Sequence, residues 1–290
     1  MVTNTIRVAH ISDIHLAGRR DFRSLALLEK MLRCFNEKGI DHLVVTGDLC
    51  DDASPAGWSA IRKVLADSGF WSFERATVLP GNHDLIDLES EIRLHNALNP
   101  FPGTRLRVVR KKLDAFCETF RELMGGEAHE PAVFPFVKVL HFSVLSLAFV
   151  AVNSVWPWHR SVNPLGARGY IEPSGLEALG SGEVRAAVKN CVVVGLCHHA
   201  LKVYGTPSPI DQAFDWTMEL VNQSDYLAAM KALGAVVLLH GHFHRFQSYV
   251  MDGVPIVNGG CFRYDATRYS EMVFAADGAF SQRFLALSCS

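Results

Sequence analysis

The feature that most restricts what this chain can fold into is a repeated local order: a short apolar run, then a cluster of Asp, His, Asn and Gly. Val8 to Ile11, Leu43 to Val45, Thr77 to Leu79, Val192 to Leu196 and Val236 to Leu239 are such runs. Their length and lack of alternation read as strands buried on both faces. They are followed by Asp13-Ile14-His15, Gly47-Asp48, Gly81-Asn82-His83-Asp84, His198-His199 and Gly241-His242-Phe243-His244. In open α/β sheets, ligands gather where the C-terminal ends of strands open into loops. Five clusters spread from Asp13 to His244 can therefore converge on one place, which makes residues 1–290 a single α/β domain.

Composition fits that reading. A chain of 290 residues with 49% hydrophobic content can bury a substantial core. The formal net charge of -2 shows no global basic bias, so nucleic acid is disfavoured as a partner. The seven cysteines (Cys34, Cys50, Cys117, Cys191, Cys197, Cys261, Cys289) include no Cys-x-x-Cys pair, and the apolar surroundings of most of them suggest buried free thiols rather than a disulfide framework, in a reducing compartment. With neither a signal-peptide pattern at the N-terminus nor a membrane-length apolar run, the expectation is a cytoplasmic protein.

Along the chain, Leu25, Leu28, Leu32 and Phe35 mark the buried face of a helix from about Phe22 to Glu37, with Gly39 as its stop. A second helix opens with Ser54 as cap and Pro55 in its first position and runs to about Ala66. Residues up to Pro80 then make a βαβαβ half. Past Asp84 the pattern loosens through Asn99-Pro100-Phe101-Pro102-Gly103, and a helix is expected over Arg105 to Met124. Its start carries Arg105, Arg107, Arg110, Lys111 and Lys112. These form a solvated face, or a cap at about 98–132 gripping an anionic substrate.

Phe134 to Leu140 and Val144 to Val152 read as a hairpin, with a loop holding Trp156 and Trp158 after it. Pro173-Ser174 starts a helix toward Lys189, Tyr204 to Pro209 is a loop, and Asp215 to Leu233 is one helix or two. Strands are expected at Gln247 to Met251, Val254 to Val257, Glu271 to Ala275 and Phe280 to Ala286, turning at Asp252-Gly253 and Asp277-Gly278. Antiparallel strands added to a mixed half give two packed sheets flanked by helices, with no internal repeat or linker.

The clusters have a common chemistry. Residues at i and i+2 of an extended segment face the same side, so Asp13 with His15, and His242 with His244, can each aim two groups at one volume. Gly47, Gly81 and Gly241 let backbone press against that volume. Asn82 can offer a neutral oxygen to a cation, His83 can donate a proton beside it, and Asp84 can orient His83. An oxygen and nitrogen donor set suits manganese, iron, zinc or nickel. If Asp13 and Asp48 are its only anions, two divalent ions keep about two excess positive charges, or about one after a bridging hydroxide, and attract a phosphate.

Asp13-x-His15, Gly47-Asp48, Gly81-Asn82-His83-Asp84, His198 and Gly241-His242-x-His244 together resemble the signature of the calcineurin-like metallophosphoesterases over most of the chain. The resemblance implies a four-layered α/β/β/α sandwich and two metal ions. Asp13, His15, Asp48 and His244 would hold one ion, and Asp48, Asn82, His198 and His242 the other. Asp48 would bridge, His83 would protonate the leaving oxygen or stabilise its charge, and Asp84 would orient His83. His199 falls outside the ligand set, facing substrate or backing the ligands, while His10 and His240 read as core histidines. Ala200-Leu201-Lys202 stand where relatives acting on cyclic nucleotides tend to carry prolines.

The expected function is metal-dependent hydrolysis of a small, anionic, nucleotide-type phosphodiester or pyrophosphate by a metal-bridging hydroxide. A UDP-sugar lipid-precursor pyrophosphatase, a nuclease and a metal-free interaction scaffold are the alternatives.

Overall fold

The computed structural model describes residues 5–98, 102–125, 133–202 and 215–288. The loop expected at Tyr204 to Pro209, part of the turn at Asn99 to Gly103 and part of the segment at 98–132 lie outside them. Strand β1 (Thr5–Ile11), helix α1 (Phe22–Glu37), β2 (His42–Val45), α2 (Pro55–Asp67) and β3 (Ala76–Val78) form the expected βαβαβ half. Both helices start where their caps stand. Asp21 accepts from the backbone N–H of Ser24 at 3.1 Å, and Ser54 from that of Gly57 at 3.3 Å. Leu28, Leu32 and Phe35 are buried in the core, with Leu25 packed at its edge.

Then come α3 (Asn82–Leu85), α4 (Leu88–Leu98), α5 (Pro102–Met124), β4 (Phe136–His141), β5 (Ser146–Ala151), α6 (Pro173–Leu179), α7 (Gly182–Ala187), β6 (Val192–Leu196), α8 (Gln223–Ala232), β7 (Ala235–His240), β8 (Phe246–Met251), β9 (Val254–Gly259), β10 (Arg268–Ala275) and β11 (Phe280–Ala286). The first sheet runs β11-β10-β1-β2-β3 and the second β4-β5-β6-β7-β9-β8. Each is mixed. β1, β2 and β3 are parallel with antiparallel β10 and β11 added, and β5, β6, β7 and β9 are parallel between antiparallel edges β4 and β8.

Alternation along the strands decides the layers. In β5, Leu147, Phe149 and Ala151 enter the main core shared with the first sheet, whereas Ala148 and Val150 enter a second core with Leu179 of α6 and Tyr226, Leu227 and Met230 of α8. The second sheet is thus covered on both faces, and its strands lack polar alternation for that reason.

Three expectations need correction. The stretch from Pro173 to Lys189 is two helices, because Ser181 caps a new one by accepting from the N–H of Val184 at 3.2 Å. Asn82 to Leu98 is largely helical rather than loose, forming α3 and α4. The cysteines are not all free thiols: Cys34 is disulfide-bonded, while Cys50, Cys117, Cys191, Cys197 and Cys261 are free.

One buried charge stands out in the layer between the sheets. Lys138 of β4 is fully buried and donates to the carbonyls of Ala76 at 2.6 Å and Leu123 at 3.0 Å. Burial pulls its pKa down to about 7, against roughly 10.4 in an unfolded chain. Between these values the unfolded state binds more protons, so stability rises with pH. We predict that unfolding free energy increases by roughly 2–3 kcal/mol between pH 7 and pH 9, and that Lys138→Met flattens this slope. Denaturant titrations of both proteins at both pH values measure it; parallel slopes would reject the assignment.

Candidate metal centre

The clusters meet because loops from the two sheets are bonded to each other at the strands' C-terminal ends. After β1, the N–H groups of Asp13 and His15 donate to the carbonyls of Gly47 (3.1 Å) and Asp48 (2.9 Å) in the loop after β2. Across the seam, Nδ1 of His198, after β6, donates to the Thr46 carbonyl at 2.7 Å. The N–H of Phe262, after β9, donates to the Ser12 carbonyl at 3.0 Å.

Two sets of donor atoms result, sharing one oxygen. Oδ2 of Asp48 is 3.7 Å from Nε2 of His15 and 3.3 Å from Nε2 of His198. On the first side, Nε2 of His244 stands 3.1 Å from Nε2 of His15 and 3.2 Å from Oδ1 of Asp13. On the second, Nε2 of His198 is 3.1 Å from Oδ1 of Asn82 and 3.2 Å from Nδ1 of His242. All seven residues expected as ligands are brought together. Lone pairs turned toward one another at such distances repel unless a proton or a cation lies between them. Oδ1 of Asp13, fully buried, has no hydrogen-bond partner. The donor set therefore fits two divalent cations.

Electrostatics agree. Burial opposes ionisation of Asp13 and Asp48, yet the imidazoles around them hold both carboxyls well below the usual range. Burial also pulls His198 down, but Asp48 outweighs it and raises that imidazole to about 9. His10 and His240 behave differently: buried and bonded to Thr46 and Tyr249 at 2.9 and 3.0 Å, they are lowered to about 3 and about 4 and belong to the core.

A pocket of about 560 Å³ opens over the centre, bordered by Asp48, Asn82, His83, His242 and His244 together with Ile86, Leu88, Leu165 and Met218.

The calcineurin-like phosphoesterase family model matches residues 6–246. The chain belongs to this family. A probable cyclic nucleotide phosphodiesterase of Fibrobacter succinogenes is 29% identical over 105 residues, 33% of this chain and 40% of that protein, well under two thirds of its length. Among solved structures, a dimetal phosphatase from Danio rerio superposes with a TM-score of 0.55 at 13% identity, covering 98% of this chain and 99% of the other. A purple acid phosphatase from yellow lupin (Lupinus luteus) gives 0.54 at 14% identity, covering 99% of this chain but 55% of the plant chain. These likenesses show the fold: two mixed sheets flanked by helices.

In this chain the paired candidate ligands do not converge by extended geometry. Asp13, His15, Asp48, His242 and His244 have φ values of 56°, 49°, 51°, 70° and 43°, so the backbone is left-handed at each. Gly81 and Gly241 make room for the resulting close approach. A Cβ on Gly81 would lie 2.1 Å from Oδ1 of Asp48, and one on Gly241 1.8 Å from Oγ of Ser12. We therefore predict that Gly81→Ala displaces Asp48 and weakens metal binding by about 10- to 100-fold, measured by metal titration of the chelator-treated protein; unchanged affinity would contradict the packing.

Asp84 does not orient His83. Its carboxylate accepts from the N–H groups of Gly81 (3.0 Å), Leu49 (3.0 Å) and Cys50 (3.1 Å) and from Nε1 of Trp58 (3.2 Å), clamping the loop after β3 to that after β2. Burial and the charge of Asp48 raise it to about 6. His83 is held instead by backbone, its Nδ1 lying 3.3 Å from the Asp51 carbonyl.

Asp51 has a role that its place in the sequence does not announce. Its Oδ1 takes Nδ1–H of His15 at 2.8 Å and its Oδ2 a guanidinium N–H of Arg263 at 2.6 Å. This turns Nε2 of His15 toward the centre. The signal was present as an acid three residues after Asp48, masked by the adjacent Asp52. Ser154, also unforeseen, accepts from the N–H groups of His198 and His199 at 3.3 and 3.2 Å and meets Nδ1 of His199 at 2.9 Å. His199 is fully buried, its ring centroid 4.5 Å from that of His242.

Of the basic residues on α5, Arg110 is exposed and reaches Glu172 at 3.5 Å, and neither it nor Arg107 borders the pocket. The side chain of Arg105 lies outside the described residues.

Proposed function

We infer that this phosphoesterase hydrolyses a phosphodiester at a dinuclear metal centre. The observation that carries this reading is the single oxygen, Oδ2 of Asp48, common to both donor sets. Asp13, His15, Asp48 and His244 would hold one cation, and Asp48, Asn82, His198 and His242 the other. Two divalent ions there, of manganese, iron, zinc or nickel, would neutralise phosphoryl oxygens and activate water near neutral pH.

The chain's own groups do the rest. Asp51 and the Thr46 carbonyl fix the tautomers of His15 and His198 so that each keeps a lone pair for a cation. The backbone N–H of His83 donates to Oδ1 of Asp48 at 2.8 Å, leaving Oδ2 for the bridge. His83 borders the pocket, with Nδ1 directed to the Asp51 carbonyl and Nε2 as the ring's other nitrogen. In this reading it gives a proton to the departing alcohol. Retention of every expected ligand speaks against a metal-free scaffold.

Similarity to the probable cyclic nucleotide phosphodiesterase of Fibrobacter succinogenes supports a diester. A cytoplasmic site of action is favoured by the five free thiols and opposed by the Cys34 disulfide. No helix among the described residues is long and apolar enough to cross a membrane. The test is to load chelator-treated protein with each ion and assay bis(p-nitrophenyl) phosphate alongside metal content. Activity that rises to a plateau at two equivalents is expected; turnover in fully stripped protein would overturn the reading.

A further inference from the structure

The walls of the catalytic pocket carry information on the substrate that the centre does not. Beyond the metal ligands, the carboxylates of Asp51, Asp52, Asp87 and Glu89 border it, with the apolar side chains of Ile86, Leu88, Leu165 and Met218. Among the described residues, no lysine or arginine borders it. The basic residues nearby are turned to other work. Arg263 holds Asp51 and the His15 carbonyl, and Arg93 pairs with Glu89 along α4. Lys112 of α5 acts on Asp87 through its field.

Asp52 has no side-chain hydrogen bond among the described residues. Asp87 accepts from the N–H and hydroxyl of Ser90 at 3.1 and 2.6 Å and keeps its negative charge while doing so. His242, 3% exposed, borders the same space. The pocket is therefore a built site with a polar floor, apolar sides and an anionic rim.

Such a wall selects among phosphodiesters. The diester anion is drawn to the cations at the floor, and the alcohol it carries must lie along Ile86, Leu88 and Met218 with its far end among carboxylates. A second phosphate placed there would be repelled, whereas an ammonium would be attracted. We propose that the substrate is a monoanionic phosphodiester whose alcohol carries a cationic amine or quaternary ammonium on a short apolar stem. The proposal rests on the phosphodiesterase reading above and narrows it away from nucleoside diphosphates, UDP-sugars and nucleic acids.

Two esters with the same leaving group isolate the ammonium charge: p-nitrophenyl phosphorylcholine and its carbon isostere, 3,3-dimethylbutyl p-nitrophenyl phosphate, which keeps the diester anion but lacks the cation. With the manganese-loaded full chain, kcat/KM for the choline ester should exceed that for the isostere by about tenfold. The preference should reside in KM and shrink in high salt. In the Asp52→Asn, Asp87→Asn double variant the ratio should fall to about one. Asparagine at position 87 still caps α4, which keeps the wall's shape while removing its charge. Equal kcat/KM on the two esters, or a ratio that survives the double substitution, overturns the proposal and leaves the phosphodiesterase reading standing. Hydrolysis of neither ester by protein carrying both metals overturns both.

Discussion

Asp48→Asn should lower metal content at both sites and abolish hydrolysis, the largest loss expected of any single substitution in this chain. Oδ1 of Asp48 accepts the N–H of His83 at 2.8 Å, and an asparagine that keeps that bond must place its NH₂ where Oδ2 now stands. A donor would then face the lone pairs of His15 and His198, and a buried negative charge would be lost as well. Loss of a group that merely supports a ligand costs about 10- to 100-fold in metal affinity. Loss of a ligand shared by two ions should exceed that at each site. Metal analysis after gel filtration, with turnover on the same preparation, decides the matter. Two full equivalents and normal turnover would remove Asp48 from the centre.

The second large effect concerns His83, beside the centre yet outside the donor sets. If it protonates the leaving oxygen, His83→Ala should retain both metals and lose about 10² to 10⁴ in kcat on an ester with a poor leaving group. A nitrophenolate departs without needing a proton, so the loss should be much smaller there. Equal losses on both esters with metals retained would refute the general-acid role. An emptied site would make His83 a ligand instead. Because its Nδ1 rests on a backbone carbonyl rather than on Asp84, Asp84→Asn should not reproduce the leaving-group contrast. Weakening the clamp on Gly81, Leu49 and Cys50 should affect both esters alike.

The first half of the fold was legible because its signals are local. Ser54 starts its helix by capping it, and β1, β2 and β3 are short apolar runs that need no distant information to be read. The convergence of the candidate ligands was legible because each follows a strand, and topology brings the C-terminal ends of those strands together. What stayed hidden depends on tertiary contact. The role of Asp84 is decided by amides of Leu49 and Cys50 and the indole of Trp58, none of which sequence order places beside it. Asp51 and Asp52 are equivalent on paper and both border the pocket, yet only Asp51 holds His15. The pairing of Asp13 with His15 was foreseen from strand geometry but achieved by left-handed backbone, so the outcome agreed and the reason did not.

That backbone has a consequence for how the protein holds its own stability. Left-handed conformations cost non-glycine residues roughly 1–2 kcal/mol each, and glycine almost nothing. At Asp13, His15, Asp48, His242 and His244 the residue that folding alone would favour is therefore one that can bind no ion. A cation bound only by the folded chain returns stability in proportion to the logarithm of its concentration over its dissociation constant. With cations held by these residues, thermal tolerance and metal supply would be coupled through the same loops. Variants selected only for resistance to heat in chelator will tend to drift toward glycine at these positions and lose the chemistry.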